Sequence, residues 1–137
     1  MIADAQGNAL SGATAEAAAH YDRAVRVFSI GCGDLLGAYE AAIEAAPRCA
    51  MAYLGKAWIF ALATDPGAAA LAAKIVDQAR GLPMDKREAG HLRAIDLALS
   101  GEHSAAARTL DRLSVEHPRD LLAVIAGFLL DLFLGDS

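Results

Sequence analysis

Apolar residues recur along this chain at spacings of three and four, the period of a helix that buries one side. Between residues 15 and 29, Ala17, Tyr21, Ala24, Val25 and Phe28 share a face, behind Thr14 as a candidate N-cap. Residues 35–46 repeat the pattern with Leu35, Tyr39, Ala42 and Ile43, after Asp34 as cap. Pro47 stops that run, because proline disfavours helical geometry in the residue before it. A third run, 49–63, has two apolar sides: Tyr53, Ala57 and Phe60 on one, Met51, Leu54 and Trp58 on the other. Asp65-Pro66 opens a fourth, with the cap and first-turn proline that start helices, and Gly81 ends it. Asp85 and Glu88 have the spacing of a capping box before a fifth helix, whose Leu92, Ile95, Ala98 and Leu99 form one face. Gly101 is placed to end that helix in the left-handed conformation. A sixth run, with Ala106, Leu110 and Leu113, stops before Pro118. The seventh, 121–134, holds a single charge, Asp131. Residues 1–13 are small and polar and read as a flexible arm.

The runs fall into a repeat. Gly33, Gly67, Gly101 and Gly135 are each 34 residues apart, Ala38, Ala72 and Ala106 follow the first three, and Pro47, Pro83 and Pro118 close the units. A 34-residue helix–turn–helix period is the tetratricopeptide pattern, in which a pair of helices must stack on neighbours to bury both apolar faces. The expected fold is therefore an all-α, tetratricopeptide-like solenoid of helical hairpins with about seven helices. Residues 14–137 form one repeat domain, in units of about 14–47, 48–83 and 84–118 and an incomplete 119–137. The last helix is too short for a bilayer, which takes about 20 residues. A helix apolar all round belongs between two packed neighbours. Two explanations stay open for it: a longer array of which this is a part, or self-association through 121–134.

Composition sharpens this reading. The 33 alanines favour helices that approach closely. A net charge of −5 and a pI of about 5.2 argue against a nucleic-acid partner, which needs a basic footprint. Cys32 and Cys49 stand alone, with no CxxC, as expected of free thiols in a reducing compartment. The first residues carry no basic segment and no long apolar core, so a cytoplasmic protein is expected, with no membrane span.

The run Arg87-Glu88-x-x-His91-x-x-Ala94, then Gly101, Ala106 and His117-Pro118-x-Asp120-x-Leu122-Ala123, closing on Leu134-Gly135, resembles the tetratricopeptide repeat protein 38 family and its bacterial relatives. The NALSG and AMAYLGKAWIFALAT segments are similar to that family's N-terminal region. The likeness spans nearly the whole chain but only about the first third of a typical family member. It implies a soluble α-helical repeat protein without an established catalytic activity. The last helix is more apolar here than the resemblance leads one to expect.

Little in the sequence points to catalysis or to a cofactor. Glu88-x-x-His91 has the spacing of a di-metal ligand pair, but such a site needs a second copy and two further carboxylates, so no metal is expected. GCGD lacks the strand a phosphate cradle requires, and Cys32 has no histidine near it in sequence. The expected activity is non-catalytic: binding a protein or peptide along the concave face lined by the first helix of each pair. Registering by the prolines places Met51, Leu54, Trp58, Glu88, His91, Ile95, Ile125 and Leu129 there. Trp58, the sole tryptophan, is either an anchor for the partner or a core residue. The alternatives are a domain that holds a small apolar ligand between its helices, and one part of a larger enzyme whose site lies elsewhere.

Overall fold

A computed structural model describes residues 2–30, 35–63 and 66–133, with the backbone alone at 27–30 and 133. Cys32, Gly33, Asp34, Asp65, Leu134 and Gly135 lie outside the described residues, as does the side chain of Phe28. Among the described residues the chain is all-α with seven helices: α1 (Ala15–Ile30), α2 (Leu35–Ala45), α3 (Ala50–Ala61), α4 (Pro66–Arg80), α5 (Lys86–Leu99), α6 (His103–Glu116) and α7 (Leu121–Phe133).

The helices begin where the polar residues can satisfy their free amides. The Ala17 N–H donates to Thr14 Oγ1 at 3.1 Å at the start of α1. Asp85 and Glu88 close the capping box of α5: the Glu88 N–H donates to Asp85 Oδ1 and the Asp85 N–H to Glu88 Oε1, each at 2.8 Å. Pro66 is the first residue of α4, as its missing N–H and fixed φ allow. That early start carries Gly67 inside the helix, whereas Gly101, at φ +81°, ends α5 as a left-handed turn. Gly67 and Gly101 thus do not occupy equivalent turns. The alanines do better: Ala38, Ala72 and Ala106 are all buried in one apolar cluster.

Connections of three to five residues join α2 to α3 and each later helix to the next from α4 onward, so sequential helices pack together. The pairs α1–α2, α3–α4 and α5–α6 make the fullest contacts, and α3 also lies against α5. Close approach is built in with glycine. A side chain at Gly55 of α3 would enter the Tyr39 ring of α2, and one at Gly90 of α5 would meet Leu113 of α6. One contact departs from a straight stack of pairs: α1 touches α7.

Residues 2–13 are fastened down, contrary to the flexible arm expected from their composition. Asp4 Oδ1 accepts the N–H groups of Gln6 and Asn8 at 3.0 and 2.8 Å, and Ala3 and Ala9 form an isolated antiparallel bridge. Leu10 is buried in the main core. Gly12 turns the chain at φ +74°, against the Arg48 carbonyl, where a side chain has no room.

Two glycine substitutions test the close packing. At Gly55→Ala an overpacking cost of about 1–3 kcal/mol competes with a helix-propensity gain of about 1 kcal/mol, for a net loss of up to about 2 kcal/mol. Gly81→Ala meets nothing within 4 Å and should be neutral or gain up to about 1 kcal/mol. Urea denaturation compares them; matching midpoints would mean that the Tyr39 ring gives way.

Candidate functional site

Five side chains that ordinarily face water or seek a partner are buried together between α3, α5 and the residue that caps α7. Arg87, Glu88 and His91 come from the first turns of α5, Trp58 from α3, and Asp120 from the residue before α7. The helical rise places residues 87, 88 and 91 on one side of α5. Asp120 is the hub. Its Oδ1 accepts the Ala123 N–H at 3.0 Å, capping α7. Its Oδ2 accepts from Arg87 Nη1 at 2.9 Å and meets His91 Nε2 at 2.7 Å. On the far side of the imidazole, Trp58 Nε1 donates to His91 Nδ1 at 3.1 Å.

The indole can only donate, so Nδ1 must accept and the imidazole proton sits on Nε2, directed at Asp120. Burial alone would raise the Asp120 carboxyl; the hydrogen bond from His91, the charge of Arg87 and the Ala123 amide oppose it and hold the group below the usual carboxylate range. Burial would likewise lower the Arg87 guanidinium, but the carboxylate of Asp120 raises it instead. Burial pushes the hydroxyls of Tyr21 and Tyr39 up, with Asp120 adding to both, so each stays protonated.

The same cluster binds residues 8–11 of the chain. Arg87 Nη2 donates to the Ala9 carbonyl at 3.0 Å, and the Ser11 N–H donates to Glu88 Oε2 at 2.9 Å. Asn8 Nδ2 reaches the Arg119 carbonyl at 2.9 Å.

Chemically the arrangement is a restraint. His91 and Asp120 are paired as in a nucleophilic triad, but an indole N–H stands where a hydroxyl or thiol would have to be. Cys49 is buried, and burial raises its thiol, which keeps it protonated. Among the described residues no three His, Cys, Asp or Glu side chains converge to hold a metal ion. The Glu88-x-x-His91 spacing is occupied otherwise: Glu88 caps α5 and binds Ser11, and both nitrogens of His91 are engaged.

The residues expected on a concave face lie inside. Met51, Leu54, Trp58, Glu88, His91 and Ile95 are all buried, and Ile125 and Leu129 are half-buried on α7. Trp58, left open between anchor and core, is in the core. A cleft of about 260 Å³ between α5 and α6, bordered by Lys86, Arg93, Arg112 and Glu116 with Gly90 and Leu113, opens to solvent. Sequence reasoning gave no role to Arg87, Asp120 or the arm. Arg87 is indistinguishable from its exposed basic neighbours. Asp120 could have been found as the N-cap after Pro118. Among the described residues no helix is long and apolar enough to cross a membrane. Comparison with family models, with curated proteins and with solved structures finds no match to this chain.

Two measurements probe the cluster. Asp120→Asn leaves Arg87 buried without its counter-charge and should cost about 3–5 kcal/mol of stability. The ionised Asp120 is favoured by folding, so its contribution is complete above the ordinary carboxylate range of about 3.9 and is lost as pH falls below it. The acid side of the stability–pH profile should be correspondingly shallower in Asp120→Asn. Trp58→Phe removes the donor to His91 Nδ1 and should cost about 1–3 kcal/mol. Native Trp58 emission should be that of a dry interior and resist acrylamide; a solvent-like spectrum would contradict its burial.

Proposed function

We propose that this chain is a non-catalytic protein-interaction scaffold of tetratricopeptide-like helical pairs, related to the tetratricopeptide repeat protein 38 family that its motifs resemble. A cytoplasmic setting belongs to the same proposal, supported by the buried free thiol of Cys49. The observation that carries it is the outer face of α7. Val124, Phe128 and Leu132, spaced four apart, are 48%, 65% and 61% exposed. Asp85 and Asp120 both cap the third residue of the helix that follows, which puts α5 and α7 in register. In that register Phe128 stands where α5 has Arg93, and Val124 where it has Ala89, both exposed. Leu132 stands where α5 has the half-buried Leu97, so α7 differs from α5 in the size and exposure of its apolar side chains and in carrying Phe128 in place of a charge.

The occupant that fits is an amphipathic helix of a partner protein. Within the chain each odd-numbered helix up to α5 is covered by the helix that follows it, and α6 covers Gly90 of α5 with Leu113. A partner helix with alanine and leucine at the spacing of Ala106, Leu110 and Leu113 would cover Ile125, Phe128, Leu129 and Leu132 in the same way. Of the inner-face residues named from the sequence, Ile125 and Leu129 belong to this surface, and Met51, Leu54, Trp58, Glu88, His91 and Ile95 lie in the interior.

Phe128→Glu should leave stability within about 0.5 kcal/mol, as surface changes do. It should abolish the cross-linking of specific proteins at α7, while Val115→Glu, at another exposed apolar residue, leaves them cross-linked. Equal capture by both variants would remove α7 as the docking face. A concentration-dependent dimer that Phe128→Glu dissolves would transfer the face to a second copy of the chain.

A further inference from the structure

Residues 8–12 cross the buried cluster as a segment held by its main chain at Ala9 and Ser11, with the Asn8 side chain bonded to the Arg119 carbonyl beside them. Arg87 donates to the carbonyl of Ala9, Glu88 accepts the N–H of Ser11, and the Leu10 side chain between them enters the apolar core. Neither hydrogen bond touches a side chain of the segment. With the segment in place Arg87 and Glu88 are 3% and 0% exposed, so its main chain completes their burial. A site of this form asks for a carbonyl, then one apolar side chain of leucine size, then an N–H two residues beyond the carbonyl. A glycine is required where the chain turns at Arg48.

The geometry points to a peptide-binding site that the chain fills with its own residues 8–12. A segment of another protein that turns at its glycine, of the pattern small–Leu–small–Gly, is the ligand that competes for it. The chemistry is general because main-chain groups are what Arg87 and Glu88 read. The edge of the bound segment is accessible: a cleft of about 320 Å³ runs along Gly7, Asn8 and Ala9 beside Asp85, Arg87 and His117. A tethered occupant acts at an effective concentration in the millimolar range, so a free peptide binds weakly until the arm is released. This surface lies at the start of α7, away from the exposed face of Val124, Phe128 and Leu132, and the inference stands whether or not Phe128 contacts a partner.

The test uses the full chain and a fluorescein-labelled peptide of residues 7–13, GNALSGA, read by anisotropy. Leu10→Asp ejects the anchor of the arm and should bind the peptide at least tenfold more tightly than the unaltered chain. Adding Glu88→Gln, which weakens the acceptor for the Ser11 N–H, should reverse most of that gain. The peptide GNADSGA should bind neither protein. A folded Leu10→Asp chain, judged by circular dichroism, with no gain in peptide affinity would overturn the proposal. Should Leu10→Asp fail to fold, hydrogen exchange on the unaltered chain decides. Amides of Leu10 and Ser11 should exchange at least tenfold faster than those at the centre of α5; exchange of both at the global unfolding rate would mean that the arm never leaves. A dimer of the unaltered chain that Leu10→Ala dissolves would mean exchange of arms between copies, and would overturn the reading of a foreign ligand.

Discussion

One buried carboxylate holds this molecule together. Asp120 starts α7, neutralises Arg87 and orients His91, and through His91 it fixes Trp58. Burying a charge is costly unless every lone pair is used. Here the cost is met by four elements at once: α3, α5, α7 and the N-terminal segment each supply a partner to the linked network. An apolar set of the same volume could match its stability. What it could not supply is direction. Each hydrogen bond in the chain from Trp58 to Ala9 accepts only a narrow range of angles, so the helices are set relative to one another by more than the shapes of their side chains.

Away from that cluster the packing is made with small residues. Ala38, Ala72 and Ala106 let the second helix of each pair lie close to the first, and Gly55 and Gly90 take the Tyr39 ring and the Leu113 side chain without intervening atoms. α7 follows a different rule. Ile125 and Leu129 stand where α5 has Gly90 and Ala94, so whatever packs there meets larger side chains at a greater separation. Both helices start with an aspartate that accepts the N–H of the third helical residue, so the two sets of side chains can be compared position by position.

Much of this was legible in the sequence, for definite reasons. Helical spacing found all seven helices, and local chemistry found the caps at Thr14 and Asp85, because both signals act within one turn. The site was legible only in part. Glu88 and His91 stood out by their spacing, and Trp58 by its rarity, yet nothing local distinguishes an inner face that is open from one that is filled. What fills it comes from far along the chain. Asp4, Gly7 and Asn8 have the composition of a loose tail, but the same side chains make tight turns, and Leu10 supplies the burial that composition averages away. Gly67 misled for the opposite reason: the spacing was regular, while Pro66 moved the start of the helix past it.

The arm also bears on how the chain assembles. Asn8 is bonded to Arg119, 111 residues away, and Ala9 to Arg87, 78 away. Stacked pairs alone would fold piecemeal, each stabilised by its nearest neighbour. Contacts this distant in sequence instead make completion cooperative, and they must form late, after the local hairpins. On a ribosome adding about 5–20 residues per second, roughly 6–22 seconds separate synthesis of Asn8 from synthesis of its partner Arg119. Through that interval the nascent molecule carries a ligand without a seat.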